Sequence, residues 1–332
     1  MFTRPENFSD DAVVTAVTAG WGLHAESVEY LPVGFGSFHW RLEADGRRWF
    51  VTADEVRTRK STSAASGGAS LRKLQAALST ARRLSDAGLS FVIAPVTTAA
   101  GDVLHLAADR FAVTVYPYVE GEAREYDSYQ SRDERLAVLD RIVKVHQASG
   151  STIRDALVDD YGVVNRDELT VALTDHPHRW DTGPYGEPAR TLLAQYAGDV
   201  ERQLAHYDAL VEAVRPRSDR FVLTHGEPHP RNTLLSDVGV VLVDWDTALI
   251  GPPERDIWTL ADGDAQILDR YASLTGVALL NDALALYRLR WDLTEIAIYI
   301  RLFREPHRAT TDTSVAWKGL NDSLDPRRWQ AV

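Results

Sequence analysis

Two short stretches of this 332-residue chain hold the side chains best suited to chemistry. In HGEPHPRN, residues 225–232, a carboxylate (Glu227) and a carboxamide (Asn232) stand five positions apart in a loop stiffened by Pro228 and Pro230. In VVLVDWD, residues 240–246, a hydrophobic run ends on Asp244 and Asp246, with Asp244 twelve positions beyond Asn232. Phosphoryl transfer asks little covalent chemistry of a protein. It needs a carboxylate beside the attacking hydroxyl and oxygen ligands for a Mg²⁺ that bridges the phosphates. Glu227, Asn232 and Asp244 supply such a set. A plainer reading stays open, in which the loop is a polar turn and the two aspartates cap the segment after them.

These residues must be positioned by regular elements. TLLS (233–236) and VVLV (240–243) read as two short strands joined by a Gly turn, and RFVLT (220–224) as a strand leading into the loop. Upstream, YLPVGFGSFHWRLEADGRRWFVTADE, from Tyr30, alternates apolar and polar residues around turns at Gly34–Ser37 and Asp45-Gly46, which predicts an antiparallel meander. The Ser/Ala/Gly segment from 57 to 70 predicts a mobile loop, followed by a helix through SLRKLQAALSTARRLSDAG that stops at Gly88. FVIAPVTT, DVLHLAA and RFAVTVYPYV predict three more strands. Beyond VEGEA the apolar residues recur at i, i+3, i+4 and i+7 in LAVLDRIVKVHQAS, PARTLLAQYAGDVERQLAHYDALVEAV, AQILDRYASLTG and NDALALYRLRWDLTEIAIYIRLFR, so this part is helical. The result is an α+β chain with a β-rich part over 1–115, a connector at 116–121 and a mainly helical part over 122–332.

Composition narrows the field. No cysteine occurs, which removes disulfides, thiol catalysis and zinc-thiolate sites, and leaves oxygen or imidazole ligands for any metal. A net charge of −12 disfavours nucleic acid as a partner and leaves room for a cationic or polyhydroxylated small molecule. The N-terminal residues lack an apolar signal core and no long apolar run follows, so the expectation is a cytoplasmic protein that does not span a membrane. Lysine is confined to positions 60, 73, 144 and 318. Oligomeric state is not readable.

THGEPHPRNTLL followed by VVLVDWDTALIGPPERDIWTL resembles the catalytic signature of the aminoglycoside phosphotransferase and choline kinase family, whose fold is bilobal and protein-kinase-like. There the loop reads approximately H-G-D-x-x-x-x-N and the metal strand I-D-[WF]-[DE]. The order of β-rich lobe, connector VYPYVEG and helical lobe matches over most of the chain, and VDWD, PPERD and YRLRWDLTEIAIY are most similar to spectinomycin-type phosphotransferases. The resemblance implies that Glu227 holds the catalytic carboxylate position and that Asn232 and Asp244 bind Mg²⁺. His225 would hold the loop backbone, Asp256 would support the loop, and Asp246 would assist or cap. Gly34, Gly36 and Ser37 would lie at the phosphates of ATP or GTP, and Tyr116 and Tyr118 of the connector at the purine. As an isolated G-x-G the turn is weak, and the connector also reads as an ordinary linker.

Three departures stand out. Glu227 replaces the family's Asp, extending the carboxylate by one methylene where positioning matters. Thr52 stands where the phosphate-binding Lys is expected, and the helix after it has no Glu to pair with such a Lys. Arg48, Arg57, Lys60 and Lys73 are the candidate replacements, each also readable as a surface charge. On the acceptor side, Trp291, Asp292 and Glu295 fall on one helix face and suit an ammonium-bearing sugar or cyclitol, though Arg288, Arg290 and Arg301 could neutralise those carboxylates in a structural network. The loop 176–188, with Trp180, Asp181 and Tyr185, is a second candidate wall. The expected activity is O-phosphorylation of an aminoglycoside or aminocyclitol antibiotic, and so resistance. A metabolic kinase of another hydroxylated amine, sugar or nucleoside, and a nucleotide-binding pseudokinase, are the alternatives.

Overall fold

The computed structural model describes residues 1–56, 67–121, 129, 131–175, 178–237 and 239–329. Arg57, Lys60 and most of the segment expected to be a mobile loop lie outside them, as do 176 and 177 of the 176–188 loop. In chain order the elements are α1 (Asp10–Trp21), β1 (Ala25–Leu31), β2 (Phe38–Ala44), β3 (Arg47–Glu55), α2 (Gly67–Asp86), β4 (His105–Ala107), β5 (Phe111–Pro117) and α3 (Arg132–His146). Then come α4 (Arg166–Asp175), α5 (Gly186–Val214), β6 (Val222–Thr224), β7 (Thr233–Ser236), β8 (Gly239–Leu242), β9 (Leu249–Gly251), α6 (Glu254–Ala261) and α7 (Ala265–Thr275). α8 (Asn281–Arg304), α9 (Thr311–Ser323) and α10 (Pro326–Trp329) close the chain.

Among the described residues the chain divides into two compact units. Unit one takes residues up to 159 together with 218–279, and unit two takes 160–217 and 280 onwards. In unit one an antiparallel sheet runs in the order β1-β2-β3-β5-β4. α1, which sequence reading had not anticipated, starts at Ser9, whose hydroxyl accepts from the Ala12 N–H. Its Val13, Ala16 and Val17 pack with Phe8 on one sheet face, against Trp40, Val51, Ala53, Val113 and Val115. α2 covers part of the other face through Leu74 and Leu78 beside Ala112 and Tyr116.

FVIAPVTT is not a strand of this sheet. Pro95 has no N–H to donate to a ladder, and the segment instead makes a single parallel bridge, Val92 to Leu242 of β8. Leu242 donates to the Phe91 carbonyl at 2.7 Å, and its own carbonyl accepts from Ile93 at 3.0 Å. This seam is part of the core beneath the loop of interest, where Phe91, Val92, Leu139, Ile142, Leu242, Trp245 and Ile257 meet. β7 and β8 form the expected hairpin, and β6 pairs with the short, unanticipated β9.

In unit two α5 packs on α8, burying Leu193, Val200, Leu204 and Tyr207 from one helix and Leu286, Leu289, Leu293, Ile296 and Ile300 from the other. These lie three, four or seven positions apart within each helix, the spacing of one helical stripe. No helix of the described residues is long and apolar enough to cross a membrane.

Candidate active site

The loop after β6 is held from below by a chain of buried polar groups. The Asp256 carboxylate accepts the backbone N–H of His225 at 2.8 Å and of Gly226 at 2.6 Å. His146 Nε2 donates to the same carboxylate at 3.1 Å, and its Nδ1 lies 2.9 Å from the Tyr271 hydroxyl. Burial works to raise the Asp256 carboxyl, but the His146 hydrogen bond and the charges of His146, His225 and Arg255 together outweigh it and the group sits below its ordinary value. Gly226 adopts φ +106°, and a Cβ there would come within 2.5 Å of the Arg255 guanidinium and 2.6 Å of Thr247 Oγ1. No larger residue fits. Arg255 in turn donates to Thr224 Oγ1 and to the Thr247 carbonyl, both at 2.8 Å.

The side chains that could do chemistry stand on this platform. His225 Nε2 donates to the Val243 carbonyl at 2.9 Å, and Val243 N–H donates to the Asn232 carbonyl at 3.0 Å, so the loop and the end of β8 are fixed to each other. Asn232, in a 3₁₀ turn over Pro230–Asn232, directs its Nδ2 to the Glu227 carbonyl at 3.1 Å, which turns its Oδ1 away as an acceptor for another group. The Glu227 carboxylate is half-exposed and lies 3.7 Å from Nε2 of the buried His229. Tyr129, through its hydroxyl, donates to the Pro228 carbonyl.

Asp244 follows β8 with φ +61°, a left-handed conformation that costs an Asp less than most residues. Asp244 is exposed at the loop surface, yet its carboxyl is crowded by the groups around it and is raised well above its usual range, first by desolvation and then by the charges of Asp246, Glu227 and Asp54. Asp54 reaches this group from β3 and accepts the Ser37 hydroxyl at 2.5 Å. Oxygen donors crowded under excess negative charge fit a hard divalent cation, with Asn232 Oδ1 and Asp244 as the residues to hold it. Among the described residues no three His, Asp or Glu side chains already form a metal-binding group.

Of the residues singled out from sequence, Glu227, Asn232 and Asp244 come together. Gly34 and Gly36 lie in the β1–β2 turn with φ +72° and +104°, and the Ser37 hydroxyl is directed to Asp54. Tyr116 is the next-to-last residue of β5, half-buried against the α2 core, and Tyr118 carries the Arg48 guanidinium 5.3 Å above its ring. Arg48 also pairs with Glu120, which commits it to the connector.

The acceptor-side residues belong to unit two. Asp292 is 3% exposed and accepts from Arg328 at 2.8 Å, Glu295 accepts the Tyr299 hydroxyl, and Trp291 sits half-buried beside them on α8. Asp181 stands exposed in a pair with Arg179 at 2.7 Å. Trp180 is buried under Arg304, and Tyr185 stacks between His307 and Trp317. Sequence reading passed over Asp54, His146 and Tyr271. For Asp54 the signal was its alternation with Thr52 on one strand; the His146–Tyr271 pair, 125 positions apart, leaves no local trace.

Residues 38–291 match the model of the phosphotransferase enzyme family, and the chain belongs to that family. It is a phosphotransferase that acts on hydroxyl groups. It is 31% identical over 253 residues to Protein StrN of Streptomyces griseus, covering 74% of this chain and 75% of that protein. Its fold is similar to spectinomycin phosphotransferase APH(9)-Ia, solved with ADP and spectinomycin, at TM-score 0.73 and 15% identity over 97% of this chain and 96% of that one. The amicoumacin kinase hAmiN, solved with AMP-PNP, Ca²⁺ and Ami, matches at TM-score 0.59 and 14% identity over 97% and 94% of the two chains. The β-rich part followed by a mainly helical part is the kinase-like arrangement that the sequence resemblance implied.

Proposed function

We propose that this phosphotransferase moves the γ-phosphoryl of ATP or GTP onto a hydroxyl of an aminoglycoside or aminocyclitol antibiotic, and so confers resistance. The observation that carries this is the clamp that brings Glu227, Asn232 and Asp244 together. Glu227, half-exposed at the loop surface, orients the acceptor hydroxyl and takes its proton. Asn232 and Asp244 hold Mg²⁺, which neutralises charge on the β- and γ-phosphates when bound. The new P–O bond forms to the acceptor oxygen as the bond from the γ-phosphorus to the β-bridging oxygen breaks, and the proton passes from Glu227 to solvent.

The nucleotide lies against Gly34, Gly36 and Ser37, with Tyr116 and Tyr118 of the connector 116–121 at its base. Residues 1–115 serve as the nucleotide lobe and 122–332 as the acceptor lobe, where Asp181, Trp291, Asp292 and Glu295 receive a cationic or polyhydroxylated ring. We place the enzyme in the cytoplasm, where its donor is abundant. The similarity in fold to a spectinomycin phosphotransferase supports the acceptor class.

The test is turnover with Mg²⁺ and ATP or GTP, separately, against spectinomycin, hygromycin-type aminocyclitols, aminoglycosides, choline and simple aminosugars, with product mass recorded. One added phosphate on an aminocyclitol or aminoglycoside is expected. Phosphorylation of choline or a simple sugar alone would move the enzyme to metabolism, and Mg²⁺–nucleotide binding without any product would mark a pseudokinase.

A further inference from the structure

On the sheet face turned away from α1, three polar side chains share one row. His39 of β2 lies opposite Thr52 of β3, and Thr52 opposite Thr114 of β5. Their neighbours Trp40, Val51, Val113 and Val115 supply the α1 core, and strand alternation puts the row on the other face. Thr114 is fully buried and its hydroxyl has no hydrogen-bond partner among the described residues, an arrangement native interiors rarely leave unfilled.

His39 is built into this row. Its ring stacks on Phe50 with centroids 5.2 Å apart and 27° between planes. Nδ1 lies 2.9 Å from the Val33 carbonyl and donates to it, since a carbonyl only accepts. A Cβ on Gly34 would stand 3.1 Å from Cε1, so the glycine turn rests on the ring. With Nδ1 committed, Nε2 is the atom left for a ligand.

Two charged groups act on the imidazole: Asp246, from the segment after β8, and the Met1 ammonium, which donates to the Val33 and Ser37 carbonyls. Burial first, then the ammonium, pushes His39 down to about 4 against the pull of Asp246. The resting ring is therefore neutral at pH 7.

We propose that His39 binds the phosphate chain of the nucleotide through Nε2–H, taking up one solvent proton as it does so, and supplies from β2 the positive charge that Thr52 does not supply from β3. The proton returns to solvent on release and no nucleotide bond changes. This rests on the reading of the site as a Mg²⁺–nucleotide site.

Calorimetric titration of the full chain with Mg²⁺–ADP and Mg²⁺–GDP, at pH 6, 7 and 8 and in two buffers of different ionisation heat, tests it. Wild type is expected to take up a proton attributable to His39 and to bind more tightly as pH falls, by at most about tenfold per pH unit for that proton. His39→Gln should bind about tenfold to a hundredfold more weakly at pH 6 and lose that proton uptake. His39→Lys should recover affinity with a flatter pH profile, which a loss of folding in the Gln variant could not mimic. Equal affinity and equal proton uptake in wild type and His39→Gln would overturn the assignment while leaving the phosphotransferase reading intact. If wild type bound neither nucleotide, the nucleotide site itself would fall.

Discussion

Asp244 in unit one and the carboxylates named on the acceptor side in unit two are treated in opposite ways. In unit one, the exposed Asp244 stands where Asp246, Glu227 and Asp54 all act on it as like charges. In unit two, each carboxylate named from sequence has a matched donor, with Arg328 on Asp292, Tyr299 on Glu295 and Arg179 on Asp181. Burial raises the Asp292 carboxyl as well, but Arg328 and Arg288 oppose it. Crowding like charges costs folding free energy, and the proposed Mg²⁺ would relieve that cost on binding. A matched carboxylate has a structural task first, and any acceptor would have to compete with the donor already there.

The largest effect should come from Asp244→Asn. Mg²⁺-dependent turnover should fall by about a thousandfold, roughly 4 kcal/mol in the barrier, while the thermal midpoint holds or rises because one crowded charge is gone. Activity within tenfold of wild type would break the contrast. Asp256→Ala comes next, since it strips the acceptor from two backbone N–H groups and from His146. A loss of about 3 kcal/mol in urea unfolding is expected. The folded carboxyl lies below its ordinary value, so its contribution is present above the unfolded pKa of about 4 and disappears as pH falls through the folded one. The gap between wild type and variant should therefore close under acid.

Arg328→Ala should cost less, about 1–3 kcal/mol, because the guanidinium is half-exposed while Asp292 is buried. Here the sign reverses. A raised folded pKa means stability is lost as pH rises through it, so the variant should weaken from pH 5 to 8 more than wild type does. Asp181→Asn should leave the melting temperature unmoved, because that pair is exposed on both sides. A shift of a few-fold in KM for a cationic acceptor, and nothing else, would make Asp181 a binding residue and sharpen the difference between the two units.

The loop, the hairpin and the long helices were legible because their signals are local. Pro228, Pro230 and the 225–232 spacing mark the loop, and α5 and α8 repeat their apolar stripe over many turns. α1 is less legible: Ser9-Asp10-Asp11 is a helix start, but the Val- and Thr-rich run that follows has weak helix propensity. FVIAPVTT was misplaced because an apolar run states that it will be buried, not against what. At the site, residue types and spacing pointed to Glu227, Asn232 and Asp244. Asp54 and His146 could not be joined to them, because their meeting depends on the register of β3 and on packing between distant helices.

The seam at Phe91–Ile93 carries a consequence for synthesis. Leu242, two residues before Asp244, completes its pairing with a segment made far earlier in translation. Such long-range closure is slow relative to local structure. A nascent chain can thus form its N-terminal sheet on the ribosome yet leave this part of its core open until β8 emerges. An apolar run such as FVIAPV, waiting exposed for its partner strand, would be a natural target for chaperones during that interval.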